Sequence, residues 1–454
     1  MSRNLKLASI LFVLVLWASM MISYPPLLVL GALPFILSNR IFLVPFMILL
    51  PVVEGGFILP FAVPTETFTL LFIAPLLAFD IFMSNQEKTV ADANITRFYA
   101  SYVFLVAFGA FIAINSARLE IRDSTILVNS AVIVGQLLFF FVLYMAFVQL
   151  GIPKIRQGLQ VMEFISVPLF IGFFIYMNFR GIEYGFNEYL NFGFTSHGTF
   201  SASVVGLSSY LLYRFIPPGR SFAQRIWVIP PILMSIWIIT KSDSRNGLLS
   251  LFIMFVLSII VLRGSTVSAR RGLILGFVSL GFLVFIAGTW NSPTFVQIRS
   301  QFSDANAIAE VSTGRTRLWS AGLQGFLERP LTGHGGDNQI SRQYAERTVG
   351  INNVLHNTIL EVAFQYGLVG LALYFFLQIR IVQAYFKVQT GINKRPMEDD
   401  GVFLLPFLTY FSLLFSALFV SWIWRSLVWY HVGLLFAILT LHKRSLKSAV
   451  TDAA

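Results

Sequence analysis

The sequence predicts an all-α polytopic membrane protein: about 12 to 14 transmembrane helices and one large outer loop with short helices of its own. Three observations predict it. Of the 454 residues, 56% are hydrophobic and only 12% are charged, and the mean hydropathy is +0.76. Apolar runs long enough to cross a bilayer recur along the chain, and runs such as ILFVLVLWASMMI do not alternate as the strands of a membrane barrel would. The one long polar stretch, Trp290 to Asn357, lies between two apolar segments and carries six arginines (Arg299, Arg315, Arg317, Arg329, Arg342 and Arg347) but no lysine.

Membrane helices are expected near 5–22, 25–38, 41–59, 68–84, 98–115, 126–149, 158–178, 198–215, 226–241, 246–262, 272–290, 358–386, 402–420 and 424–441. Arg3 and Lys6 precede the first run as in a signal sequence, but no small-x-small cleavage site follows, so that run is expected to stay as a helix. With no cysteine, a disulfide framework is impossible. Threading the helices from a cytoplasmic N-terminus puts 20 of the 32 Lys and Arg on the cytoplasmic side, as the positive-inside rule asks. Topology therefore accounts for the net charge of +11, and nucleic acid is not an expected partner. Both chain ends then face the cytoplasm and the arginine loop faces outward. The expected organisation is one integral membrane domain: 1–290 as helices 1–11, 291–357 as the large loop, and 358–454 as helices 12–14 and a cytoplasmic tail.

Four helices that start on the outer face begin with a basic or titratable residue: His197 in TSHGTFSAS, Arg245 in SDSRNG, His356 in LHNTIL and Arg425 in SWIWRSL. The dipole of a helix start disfavours a cation and, with its free N–H groups, welcomes an anion. A cation placed there points to an anionic third party. Within the loop, GRTRLWSAGLQGFLERP reads as an amphipathic helix with Leu318, Trp319, Gly322, Leu323, Phe326 and Leu327 on one face, stopped by Pro330. It would lie along the membrane surface or cap the bundle, with Arg315 and Arg317 near its start. LTGHGGDNQ reads as a glycine-rich turn, after which Asp337 caps a second short helix that ends near Gly350.

Loop arginines without lysines suit planar, two-at-a-time recognition of phosphate or carboxylate oxygens. Each candidate also has a plainer explanation. Arg245 could snorkel to headgroups while Ser242, Asp243 and Ser244 cap its helix, and Arg315 could pair with Glu310 or Glu328 on a solvated face. His356, collared by Asn352, Asn353 and Asn357 ahead of an apolar helix that contains Glu361, is either a cap or a base able to move a proton near neutral pH. His334 and His197 are weaker candidates for that role, and His431 and His442 read as structural. There is no H-E-x-x-H, no Cys/His set, no P-loop and no GxGxxG, so neither metal nor nucleotide cofactor is expected.

SDSRNG opening a membrane helix, GRTRLW followed by ERPLTGHG in a large outer loop, and then LHNTILEVAFQYGLVGLAL resemble the O-antigen polymerase and O-antigen ligase family of bacterial inner membranes, over roughly residues 198–380. The resemblance implies a metal-independent, inverting glycosyltransferase on the periplasmic face. Its donor would be a glycan on undecaprenyl diphosphate, its acceptor a glycan or lipid A core, and its surroundings the bilayer and a chain-length regulator. Arg245 and Arg315 match the family's essential arginines and His356 its essential histidine; Arg180, Arg425, His197, Asn357 and Arg317 are added as diphosphate-binding candidates. Fourteen expected helices lean toward a polymerase over a ligase. A lipid-linked sugar flippase or transporter is the alternative of another class, but the notable charges gather at one face and no repeat divides the chain into halves.

Overall fold

The computed structural model describes residues 2–21, 26–49, 57–58, 63–64, 73–79, 81, 93–115, 123–179, 197–215, 226–241, 245–261, 315–394, 400–418 and 426–451. In chain order the helices are α1 (Arg3–Met21), α2 (Pro26–Ser38), α3 (Leu43–Leu49), a short one over 73–79, α4 (Ala93–Asn115), α5 (Asp123–Phe179), α6 (His197–Phe215), α7 (Ile229–Lys241) and α8 (Arg245–Val261). Then come α9 (Arg315–Glu328), α10 (Asn338–Val349), α11 (Thr358–Lys394), α12 (Leu405–Ser416) and α13 (Ser426–Thr451), with 3₁₀ turns at Arg40–Phe42 and Asp400–Leu404. Among the described residues the fold is all-helical apart from one small hairpin, Phe57–Ile58 against Val63–Pro64. That hairpin corrects the helix expected over 41–59, which is helical at Leu43–Leu49 but extended by Phe57. Pro51, Gly55, Gly56 and Pro60 crowd this stretch, and such residues do not sustain a helix. The helix expected over 272–290 lies outside the described residues.

Among the described residues three segments are long and apolar enough to cross a membrane: Ile95–Asn115, Ile126–Ile175 and Thr358–Gly391. At 1.5 Å per residue, α5 is far too long for one crossing of a hydrocarbon core of about 30 Å. It breaks at Gly151 (φ 74°, ψ 166°), and its contacts show two crossings. Asn129, near its start, bonds Asp337 (2.8 Å); Arg156, past the break, lies over the Phe403 ring (5.5 Å); and Phe174, near its end, packs on Trp237 (5.0 Å) four residues before the end of α7. Phe403 precedes α12, whose far end meets the start of α11. The chain thus runs from the site end to the opposite end and back, as the separate helices 126–149 and 158–178 require.

One apolar core unites α1 to α8 and α11 to α13, with Phe12, Phe46, Phe139, Tyr210 and Phe407 all but inaccessible to solvent. Within bilayer-embedded bundles, close packing and side-chain hydrogen bonds carry helix association. Here the Ser209 and Thr409 hydroxyls bond across α6 and α12 (2.8 Å), and those of Tyr144 and Thr440 across α5 and α13 (3.1 Å).

Candidate active site

Three helix starts meet at one end of the bundle, around the last residues of α12. The N–H of Thr358, the first residue of α11, donates to Ala417 O (2.9 Å). Asn246, second residue of α8, donates through Nδ2 to Ser416 Oγ and O, and accepts from Ser250 Oγ (3.2 Å). A Cβ on the neighbouring Gly247 would lie 2.6 Å from Ser201 Cβ, so the first turn of α6 adjoins as well. The polar ends are thereby satisfied by one another, and α6, α8 and α11 point their N-termini, the positive ends of their dipoles, toward a common region.

His356 lies at the mouth of α11, half-buried. Its φ is 52°, the one positive φ at a non-glycine position among the described residues. Such a conformation persists only where neighbours hold it. After it, Asn357 caps α11, its Oδ1 accepting from Leu360 N–H (3.1 Å) and its O from Glu361 N–H (2.9 Å). Before it, Leu355 N–H donates to Glu361 Oε2 (3.2 Å) while the Leu355 side chain is wholly buried.

Above this mouth lies α9. Its buried residues are Leu318, Ala321, Gly322 and Gly325, small enough for the helix to press close. A Cβ at Gly322 would come within 2.7 Å of Leu355 Cδ1, and one at Gly325 within 2.5 Å of Phe364 Cε2. Arg315 and Arg317 flank the buried stripe of Leu318, Ala321, Gly322 and Gly325 on opposite sides, and Arg317 is exposed. Arg315 is half-buried. Pairing of Arg315 with Glu328 is excluded, because the two stand at opposite ends of a helix about 20 Å long. Glu328 instead accepts from the Tyr344 hydroxyl (2.7 Å). The apolar face expected for α9 divides. Leu318 and Gly322 turn inward, but Leu323 and Leu327 are 50% and 66% exposed, so the helix both caps the bundle and presents an apolar edge outward.

The glycine turn is tied into α11. Between Pro330 and Gly336 the chain pairs with a break in that helix: His334 N–H donates to Phe364 O (2.8 Å), Gly335 N–H to Gln365 O (3.0 Å), and Leu368 N–H to Pro330 O (2.7 Å). Gly367 makes the break, at φ 61°, where a Cβ would press within 2.5 Å of the Leu331 carbonyl. His334 stacks on Phe364 (4.6 Å, 12°), and its Nε2 is 2.8 Å from Gly325 O. Those contacts give it a structural role. Asp337 caps α10 by accepting from Gln339 N–H (2.7 Å), and Gly350 closes that helix in the left-handed region, both as the sequence predicts.

Of the sequence candidates, His356, Asn357 and Arg315 are described with their side chains, as is Arg317, which is exposed. α6 begins at His197, α8 at Arg245, and α13 at Ser426, one residue after Arg425. The side chains of His197 and Arg245, and all of Arg180 and Arg425, lie outside the described residues. Two polar residues were passed over by sequence reasoning. Gln365 is wholly buried and donates to both Glu361 Oε1 (2.8 Å) and Asn338 Oδ1 (3.0 Å), while Asn246 joins α8 to α12. The signal for Gln365 was present: Glu361 and Gln365 stand four apart in an otherwise apolar helix, hence on one face. Among the described residues no group of three or more His, Asp or Glu is placed to hold a metal ion.

The starts of α8 and α11, with α9, the glycine turn and α10, fall in one stretch, and residues 231–375 match the family Wzy_C, described as O-antigen ligase. This stretch is similar to Wzy_C. Members of that family are O-antigen ligase and polymerase enzymes. The matched stretch includes Arg245, Arg315, His356 and Glu361; His197, Arg180 and Arg425 stand outside it. No curated protein matches the chain.

Proposed function

We propose that the chain is the polymerase that joins undecaprenyl-diphosphate-linked repeat units on the periplasmic face, with Arg245, Arg315 and His356 as its working residues. What supports the proposal is that the α8 and α11 starts meet around the end of α12 while α9, which begins at Arg315, packs against the mouth of α11. In this reading the two guanidinium groups hold the donor diphosphate and stabilise the charge that builds on it as the glycosidic bond breaks. Preorganised groups of this kind are often worth several kcal/mol. His356 orients the acceptor hydroxyl and takes its proton as the hydroxyl attacks the anomeric carbon from the opposite side, inverting it. A positioned base of this sort contributes about 10² to 10⁴ in rate. The helix dipoles that converge there favour an anionic donor and help keep the histidine neutral.

Periplasmic placement is supported by charge. Arg40, Lys154, Arg156, Lys443 and Arg444 gather at the end opposite the site, while 315–357 at the site end has arginines alone. A ligase that moves the finished glycan onto lipid A core is the second reading, favoured by the description of the matching family. The surface and lipid-linked glycans of a strain lacking the gene separate the two. Single repeat units on the surface without a ladder indicate a polymerase, and long chains retained on undecaprenyl diphosphate over a bare acceptor indicate a ligase. Units stranded on the cytoplasmic side would make the protein a flippase and overturn the proposal.

A further inference from the structure

We infer that Glu361 is the positioning residue for His356, which rests on the proposed role of His356 as the acceptor-activating base. Glu361 is 0% exposed, in the first turn of a helix that enters an apolar bundle. A carboxylate is costly to bury and survives there only with its oxygens bonded. Both are engaged: Oε2 accepts from Leu355 N–H (3.2 Å), and Oε1 accepts from Gln365 Nε2 (2.8 Å). The second amide hydrogen of Gln365 goes to Asn338 Oδ1 (3.0 Å), which ties the carboxylate to the start of α10.

What distinguishes Glu361 from an ordinary acidic residue at a helix start is that its side chain reaches back past His356. Its Oε2 accepts from the N–H of the preceding residue, Leu355, while the following one, Asn357, is fixed as the cap of α11, its carbonyl accepting the first helical bond (2.9 Å). A capping-box carboxylate would sit one position earlier and reach the cap residue itself. This one reaches two residues further back, across the histidine. Between the two anchors His356 is kept at φ 52°, a backbone state that a histidine leaves when it is free to do so. The anchoring oxygen therefore sets where the imidazole stands relative to the acceptor, without touching substrate.

The test uses the purified full chain in phospholipid vesicles, with lipid-linked repeat units extracted from the deletion strain as donor and acceptor. Glu361→Leu keeps the volume and removes the acceptor for Leu355 N–H; Glu361→Gln keeps one acceptor oxygen. Glu361→Leu should lower kcat at least about tenfold with KM for the lipid-linked glycan within about twofold, and Glu361→Gln should restore about half of the lost kcat or more. Wild-type kcat in Glu361→Leu overturns the inference, as does a loss that appears in KM alone. Should Glu361→Leu fail to reach the membrane, Gln365→Leu, which removes the amide from the other carboxylate oxygen, decides by the same criterion. His356→Ala separates the two levels. If it keeps wild-type kcat, the proposed function itself falls; if it is inactive while Glu361→Leu keeps wild-type kcat, only the positioning role falls.

Discussion

His356 holds a strained backbone at the mouth of α11, and strain of this kind costs about 1 to 3 kcal/mol. Substituting glycine relieves it. His356→Gly is therefore expected to raise thermal stability in detergent by about 1 kcal/mol while making no glycan product, whereas a merely structural histidine would show neither effect. The arginines divide by their exposure on α9. Arg315→Lys, which keeps the charge and loses the planar fork, should lower product at least about tenfold, and Arg317→Lys should leave it near wild type. Equal losses from the two would remove the basis for choosing Arg315. Their sequence context, GRTRLW, does not rank them; the half-burial of Arg315 against the exposure of Arg317 does. His334 was hard to judge for a similar reason. Nothing local says that the ring stacks on Phe364, thirty residues away.

The three elements that shape the mouth are α9, the glycine turn and the broken α11. They are joined through backbone groups, so small changes at the joints should matter more than larger ones outside. Gly367→Ala puts a side chain into a left-handed position against the Leu331 carbonyl and should cost at least about 1 to 3 kcal/mol, read as a lower melting temperature. Tyr344 joins α10 to α9. Burial, and then its hydrogen bond to Glu328, push its phenol up to about 12 from the model-compound value of 10.0. A raised pKa stabilises the fold below the unfolded value and is lost as pH rises through the folded one. The contribution of this contact should thus be constant at neutral pH and fade between about pH 10 and 12, a dependence that Tyr344→Phe removes. Element boundaries were largely legible because the signals are local. An Asp before a polar run, a Gly after it and a Pro beyond a helix fix ends through backbone chemistry alone. The segment from 41 to 59 failed because apolar residues persist through its prolines and glycines, and hydropathy does not register that a helix has stopped.

In the molecule as a whole, the two halves of α5 run in opposite directions, as the threading made from charge expects of 126–149 and 158–178. Because the chain has no cysteine, this orientation can be tested with single cysteines. In intact cells with a permeabilised outer membrane, Arg342→Cys should react with an impermeant maleimide and Lys154→Cys only after lysis; the reverse pattern would invert the assignment of sides. What the sequence by itself determined was the helical fold class, the place of most described helices, the charge asymmetry along the chain and the identity of the candidate residues. Those depend on the cost of apolar surface in water, on unpaired backbone groups in lipid and on local caps, all of which act along the chain. Only the tertiary structure decided that α8, α11 and α12 share an end, that Arg315 on α9 is half-buried and Arg317 exposed, and that the Glu361 carboxylate bonds the N–H of Leu355 beside His356. Those arrangements depend on which surfaces interdigitate across tens to hundreds of residues, through glycine gaps and buried hydrogen bonds that have no periodicity in the sequence.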